Sequence, residues 1–341
     1  MQLIGIGDIH LRDSDFYTVG FSNFLKWFKQ TIPDSFKDST EIILAGDVLN
    51  KITMSPIVGS LAIQLFSTLH QKASTVYVIL GNHDYGLNKY KVVNVKDFLE
   101  GLGAIVIDDL CEFQTKLGFN LLCLPWKYNC THSQVNSFLQ KLDVKNKQYD
   151  VCTAHWELES LFGSDFVDLQ NVNATSYMCG HIHSHKSNPK YLGSILPNSI
   201  SELKKDDSSV VKILTKDQET GVCKNNEFAI PSFIDIERVL ITDLTDLQKL
   251  QSRLDLFYEI IHDDTISKKD IKNQMKLLNL QIYGLKRRQD IELSVEFNLD
   301  DISEYKTQSH SVILEKLQDD LQLEPVVISA CQRAIQETKN E

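Results

Sequence analysis

Five short polar segments recur along the chain, each directly after an apolar stretch, and their side chains are of the types that bind divalent metal ions. Asp, Asn and His supply carboxylate, amide-oxygen and imidazole ligands, which suit manganese, iron, zinc or magnesium. No cysteine lies among the segments with the spacing of a metal ligand. In chain order the segments are Gly7-Asp8-Ile9-His10, Gly46-Asp47, Gly81-Asn82-His83-Asp84, His155-Trp156-Glu157 and Gly180-His181-Ile182-His183.

The stretches before these segments are predicted to be buried strands because they are continuous apolar runs. Ligands in open α/β sheets collect outside the carboxyl ends of the strands, so five such strands would bring the polar segments to one edge. Two ions about 3.5–4 Å apart can hold the attacking and leaving oxygens of a phosphoryl transfer. The predicted two-metal site consists of Asp8, His10, Asp47, Asn82, His155, His181 and His183.

Each segment also has an ordinary structural explanation when it is taken alone. An isolated Asp-x-His is more often part of a turn, and an isolated His after a strand is more often a hydrogen-bonded core residue. The same kind of explanation would have to hold five times in succession along this chain. The complete set therefore favours metal binding.

The order of the segments resembles that of the calcineurin-like metallophosphoesterase superfamily. Within it, the chain is similar to the SbcD-like DNA double-strand-break-repair nucleases, which include the recombination endonuclease subunit of large bacteriophages. The resemblance covers residues 1–235, and the compact length favours the phage branch. Besides the N-terminal Asp-x-His, it is carried by Leu124-Pro125-Trp126, His155-Trp156-Glu157 and Tyr191-Leu192-Gly193-Ser194.

The resemblance implies a role for each metal-binding candidate. Asp47 would bridge two divalent ions, for which manganese is expected and magnesium is the alternative. The first ion would be held by Asp8, His10 and His183, and the second by Asn82, His155 and His181.

The resemblance also implies that His83 is not a ligand. It would face the scissile phosphate and protonate the leaving oxygen, with Asp84 orienting its ring, and an adjacent carboxylate raises the basicity of an imidazole. The nuclease branch often has a second catalytic histidine three residues after the bridging Asp. This chain has Asn50 at that position. A catalytically weak protein that serves as a scaffold is therefore an alternative.

The alternation of strands and helices, with a later series of hairpins, predicts an α/β (α+β) fold of two packed β-sheets flanked by helices. The resemblance implies the same β-sandwich. We expect a nuclease domain at 1–235, a small α+β capping and DNA-positioning domain at 236–300, and a linker with helices at 301–341. In the second domain the apolar spacing predicts helices over about 245–261 and 267–285, between strands at 237–242 and 291–297.

Composition gives further expectations. The net charge of −11 is unusual for a protein that holds DNA alone, since phosphate contacts supply most non-specific affinity. An odd count of seven cysteines, mostly inside apolar strands, fits reduced thiols in a cytoplasmic protein, the host cytoplasm if phage-encoded. No signal peptide or membrane span is expected. Candidate DNA-contacting patches are Lys89, Lys91, Lys127, His185-Lys186, Lys190 and Lys286-Arg287-Arg288.

The chain has no Gly-rich phosphate loop, so any ATP site is expected on another protein. The resemblance implies an SbcC-like ABC-type ATPase partner bound by the helices of 301–341, and a homodimer within a heterotetramer. The sequence thus predicts a two-metal DNA nuclease, exonuclease on duplexes and endonuclease on single strands or hairpins. The alternatives are a phosphomonoesterase or cyclic-nucleotide phosphodiesterase of the same superfamily, or the scaffold.

Overall fold

We analysed a computed structural model of the chain. It describes residues 1–287 except 33, 52–53, 86–94, 161–164, 187, 198–201, 203–208 and 263–264. The predicted strand at 291–297 and the segment 301–341 lie outside the described residues. Contacts divide the chain into two units, one of 1–237 with 252–257 and the other of 238–251 with the residues from 258 onward. The predicted domain limits at 235 and 300 remain predictions.

The first unit contains a six-stranded sheet in which four neighbouring strands are parallel. Two antiparallel strands complete one side of it. Because the parallel strands are buried along nearly their whole length, they have the continuous apolar character that the sequence shows. The order across the sheet is β10 (Cys223–Ala229), β9 (Val210–Lys216), β1 (Gln2–Ile6), β2 (Thr40–Ala45), β3 (Thr75–Ile79) and β4 (Ile105–Ile107).

A second sheet of four strands packs against the first. Its first two strands form the predicted antiparallel hairpin, and the remaining strands are parallel. Side chains from both sheets share one buried core, which includes Ile43 and Tyr77 of the first sheet and Leu121 and Val151 of the second. The order is β5 (Cys111–Gln114), β6 (Asn120–Leu124), β7 (Tyr149–Ala154) and β8 (Ala174–Tyr177).

Within the described residues of this unit, the helices are α1 (Asp15–Thr31), α2 (Pro56–Lys72), α3 (Val95–Gly101) and α4 (His132–Leu142). One face of α1, which carries Phe21, Phe24 and Phe28, is buried, and each such Phe contributes about 1.5–3 kcal/mol through burial. Ser55 caps α2, its hydroxyl accepting from the Val58 amide. The Tyr17 hydroxyl of α1 donates to the Ile9 carbonyl and so anchors the Asp-x-His segment. The predicted fold class is confirmed.

The three-stranded sheet that follows corrects one sequence prediction. Its strands are β11 (Asp235–Ile241), β12 (Leu256–His262) and β13 (Gln281–Arg287), with α5 (Lys268–Leu277) between the last two. The predicted helix over 245–261 is wrong, because only a 3₁₀ turn at Leu244–Lys249 precedes β12. The second predicted helix begins as expected after Ser267 but ends at Leu277, before β13.

None of the helices in the described part of the chain combines the length and apolar character that crossing a bilayer requires.

Candidate metal centre

The polar segments meet where the two sheets present the carboxyl ends of their parallel strands. Asp8 and His10 follow β1, Asp47 follows β2, and Asn82 follows β3. From the second sheet, His155 follows β7, and its backbone pairs with Gly180, next to His181. Strands far apart in sequence therefore deliver their side chains to one edge.

One group of ligand atoms lies around His10. Its Nε2 is 3.0 Å from Nε2 of His183 and 4.0 Å from Oδ1 of Asp8. Together these three residues offer ligand atoms within 4.8 Å of one another. They are the residues to which the resemblance assigns the first ion.

A second group lies around the side-chain oxygen of Asn82. Oδ1 of Asn82 is 3.1 Å from Nε2 of His155 and 3.1 Å from Nδ1 of His181. The Nδ1–H of His155 donates to the Ala45 carbonyl at 2.7 Å, which leaves its Nε2 lone pair for this group. These are the residues to which the resemblance assigns the second ion.

Asp47 lies between the two groups. Its Oδ2 is 3.5 Å from Nε2 of His10 and 3.3 Å from Nε2 of His155. Its other oxygen, Oδ1, accepts a hydrogen bond of 2.8 Å from the His83 amide. One carboxylate oxygen thus faces a histidine from each group, which is the arrangement that a bridging ligand requires.

The donor set fits divalent ions on two structural grounds. Two ligands about 2.1 Å from a shared ion lie about 3.0–3.4 Å apart at ordinary coordination angles, and the closest pairs within each group have such separations. In addition, Oδ2 of Asp8 and Nδ1 of His10 are buried without a hydrogen-bond partner among the described residues. Unpaired buried polar atoms are costly, and a cation would satisfy the Asp8 carboxylate.

Electrostatics also favour cations here. Burial raises the pKa of Asp8, whereas it lowers the pKa of His10 to about 3, so His10 is held as the neutral imidazole that a metal requires. Burial alone would lower the pKa of His155, but the charges of Asp47 and Asp8 outweigh it and raise that pKa to about 9. The carboxylates therefore attract positive charge, which metal ions would supply.

Tight backbone geometry brings the groups together. A Cβ on Gly81 would lie 2.2 Å from Oδ1 of Asp47, so only glycine fits there. Among the described residues six non-glycine residues have a positive φ, and three of them are His10, Asp47 and His181. Such conformations cost about 1–3 kcal/mol each and concentrate at functional sites.

His83 lies at the rim of the site, and its side chain is exposed. Its Nδ1–H donates to the Asn50 carbonyl at 2.9 Å. A ring nitrogen of His83 also lies within 4.8 Å of ligand atoms of His10 and Asp47.

The expected orientation of the His83 ring by Asp84 requires correction. The Asp84 carboxylate accepts from the backbone amides of Gly81 at 2.9 Å and Leu49 at 3.0 Å. Asn50, not Asp84, supplies the hydrogen-bond partner of the His83 ring. Burial and the charge of Asp47 raise the pKa of Asp84 to about 7. Asp84 thus joins the loop after β2 to the loop after β3.

Two carboxylates that are not part of the predicted two-metal site lie behind candidate ligand histidines. Oε1 of Glu157 is 2.9 Å from Nε2 of His181, and Oε1 of Glu202 is 3.3 Å from Nδ1 of His183. The i, i+2 spacing of Glu157 from His155 was a usable signal, because alternate side chains of an extended segment lie on one side. Glu202 lies 19 residues beyond His183, and no local pattern links them.

The described members of the predicted basic patches are largely engaged with other groups. Lys127 pairs with Asp109 at 2.9 Å, and Lys286 pairs with Glu259 at 2.9 Å. His185 lies 3.4 Å from Glu227. Lys89, Lys91 and Arg288 lie outside the described residues.

The aromatic motifs pack together. The Trp156 ring is buried, its Nε1–H donates to the Pro125 carbonyl at 3.1 Å, and it stacks on Trp126 with ring centroids 6.3 Å apart. Trp126 is partly exposed and contacts Tyr85, the residue after Asp84. The Leu-Pro-Trp and His-Trp-Glu segments therefore form one structural feature.

The model of the calcineurin-like phosphoesterase family matches residues 1–185. No curated protein matched the chain. Among solved structures, wild-type Vps29 from Entamoeba histolytica, complexed with Zn²⁺, matches over 68% of this chain and 100% of its own, with 11% sequence identity and a TM-score of 0.28.

Proposed function

The chain belongs to the calcineurin-like phosphoesterase family, and from this membership we propose that it is the metal-dependent nuclease subunit of an SbcCD-like DNA recombination or repair complex. Family members are generally metal-dependent phosphoester hydrolases. The observation that carries this chemistry is the position of Asp47, whose Oδ2 lies 3.5 Å from His10 and 3.3 Å from His155.

When bound, two divalent ions supply an activated water and charge that stabilises the phosphoryl oxygens. Asp8, His10 and His183 would hold one ion, and Asn82, His155 and His181 the other, with Asp47 shared. Manganese is the ion that we propose, on the resemblance to the nucleases.

His83 is the residue to which we assign proton delivery to the leaving oxygen. Its amide is fixed by Asp47 and its Nδ1–H by the Asn50 carbonyl. The ring is therefore held at the exposed rim with Nε2 available to substrate. Asn50, where the nucleases often have a histidine, contributes through its backbone carbonyl.

Support for DNA as the substrate comes from the motifs shared with the SbcD-like nucleases. The Trp126 and Trp156 rings of those motifs stack beside the loop that carries His83. A small phosphomonoester or cyclic nucleotide is the second candidate. One observation favours it: Lys127, which the sequence assigns to a DNA-contacting patch, is already paired with an acid.

A substrate panel tests the proposal. The full-length protein, loaded with Mn²⁺, is assayed on linear duplex, hairpin and single-stranded DNA, a cyclic nucleotide and an aryl phosphate, each with an EDTA control. DNA cleavage by the wild type that is lost in His83→Ala supports the nuclease. Turnover of the cyclic nucleotide or aryl phosphate alone would replace it with the second candidate, and no turnover with bound metal would favour the scaffold.

We further propose that the protein acts as a homodimer with an ABC-type ATPase subunit. The support is the resemblance to the nucleases, which places partner binding in 301–341. That segment lies outside the described residues.

A further inference from the structure

Glu157 lies directly behind one of the candidate ligands. Its Oε1 is 2.9 Å from Nε2 of His181, while Nδ1 of His181 is 3.1 Å from Oδ1 of Asn82. Since Nε2 is occupied by the carboxylate, Nδ1 is the nitrogen that faces the second group of ligands. The contact therefore selects which ring nitrogen of His181 carries the proton.

A second histidine holds the other oxygen of the same carboxylate. Oε2 of Glu157 is 2.9 Å from Nε2 of His132, the first residue of α4. The His132 ring packs edge-on against Trp156, with centroids 5.3 Å apart. Because each carboxylate oxygen of Glu157 contacts a histidine ring nitrogen, its orientation is restricted.

The outer partners of the candidate ligands differ in kind. The outer nitrogen of His155 meets a backbone carbonyl, that of Ala45. The outer nitrogens of His181 and His183 meet carboxylates, Glu157 and Glu202. A carboxylate partner fixes the tautomer and orientation of a ligand histidine and makes its inner nitrogen a stronger donor.

We propose that Glu157 is a positioning residue for the second metal ion, and that His132 keeps it in place. Glu157 presents Nδ1 of His181 to the ion beside Asn82 and His155 without touching the ion itself. This inference rests on the proposed function, since it requires a divalent ion in that group.

The test compares Mn²⁺ binding by full-length, metal-free protein in five forms: wild type, Glu157→Ala, Glu157→Gln, His132→Ala and Glu112→Gln. Glu112 is the matched control, because its carboxylate is also held by two partners, Lys147 at 2.8 Å and Tyr149 at 2.7 Å. Calorimetry gives the number of ions and their affinities. Electron paramagnetic resonance distinguishes paired Mn²⁺ ions from isolated ones.

We expect the wild type and Glu112→Gln to bind two ions with the signal of a coupled pair. Glu157→Ala should bind one ion with unchanged affinity and the second about 10–100-fold more weakly. Glu157→Gln should lose less affinity for the second ion, because its amide oxygen still accepts from the Nε2–H of His181. The affinity of His132→Ala for the second ion should lie between those of wild type and Glu157→Ala.

Unchanged binding of both ions by Glu157→Ala would overturn the inference, and so would an equal loss of both ions. If Glu157→Ala does not fold, Glu157→Gln decides, with selective weakening of one ion as support and unchanged affinities as refutation. If the wild type takes up no Mn²⁺, both this inference and the proposed function are refuted. If the wild type binds two ions but cleaves no DNA, only the proposed nuclease activity is refuted.

Discussion

The backbone amide of His83 donates a 2.8 Å hydrogen bond to Oδ1 of Asp47. The same carboxylate turns Oδ2 toward His10 and His155. The exposed histidine at the rim is thus joined by a direct hydrogen bond to the carboxylate between the ligand groups. Because the donor is the backbone amide of His83, replacement of the His83 side chain leaves this hydrogen bond in place.

Asp47→Asn should lose affinity for both ions and abolish detectable cleavage. The amide still accepts from the His83 N–H, so the loop after β3 is retained, but the negative charge that serves both ions is removed. Metal content by mass spectrometry and an Mn²⁺-dependent assay check this. Asp150→Asn is the control, since Asp150 accepts from the Asn120 amide and pairs with Lys216. A variant that loses only one ion would contradict a bridging Asp47.

His83→Ala should lower the cleavage rate by about 10²–10⁴-fold while both ions remain bound, because proton transfer by a positioned side chain contributes about that much. Metal content and single-turnover cleavage are measured on the same preparation. His70→Ala, which removes a ring that contacts the Leu102 carbonyl, is the control. Loss of an ion from His83→Ala would show instead that His83 is a ligand.

Gly81→Ala should weaken metal binding and destabilise the fold by about 1–3 kcal/mol, the usual range for overpacking. Its Cβ would lie 2.2 Å from Oδ1 and 2.4 Å from the amide nitrogen of Asp47. Thermal unfolding and Mn²⁺ titration measure the two effects. Gly101→Ala is the matched control, because nothing lies within 4 Å of its added Cβ. Equal behaviour of the two variants would refute the close approach.

Glu259→Gln should destabilise the second unit by about 1.5–3 kcal/mol at neutral pH, the usual contribution of hydrogen bonds to charged groups. Burial would raise the pKa of Glu259, but hydrogen bonds from Lys286 and Arg238 outweigh it and lower that pKa below the ordinary 4.5. The carboxylate therefore stabilises the fold above pH 4.5, and this contribution is lost as the pH falls through the lowered value.

The free-energy difference between wild type and Glu259→Gln should accordingly narrow in acid, which urea unfolding at neutral and acidic pH would reveal. A difference independent of pH would contradict the ion pairs. The three residues lie on β11, β12 and β13, so the same experiment probes the strand that replaces the predicted helix.

Deletion of 301–341 should leave the proposed Mn²⁺-dependent cleavage intact and abolish association with the proposed ATPase subunit. The reason is that every metal-binding candidate lies before residue 184, far from the deleted segment in sequence. Size-exclusion chromatography of the mixed subunits and the cleavage assay provide the two measurements. Retained association would place the partner interface elsewhere in the chain.

The residue types and order along the chain were sufficient to predict the fold class and the meeting of the candidate side chains at one edge. Asp8, Asp47 and Asn82 each follow an apolar strand, and the rule that parallel strands end at one edge predicts their neighbourhood without coordinates. Ser55 likewise marks the start of α2 through a local hydrogen bond. Such features depend on neighbours in sequence or on a general property of sheets.

Tertiary structure alone decided the contacts made across the chain. The apolar residues of 250–261 fit a helical stripe, yet 256–262 is a strand because β11 and β13 pair on either side of it. Asp84 bonds to the amide of Leu49, and Glu202 lies behind His183. Local spacing carries no record of such partners, since hydrogen bonds and strand pairing between distant segments form only when the whole chain has folded.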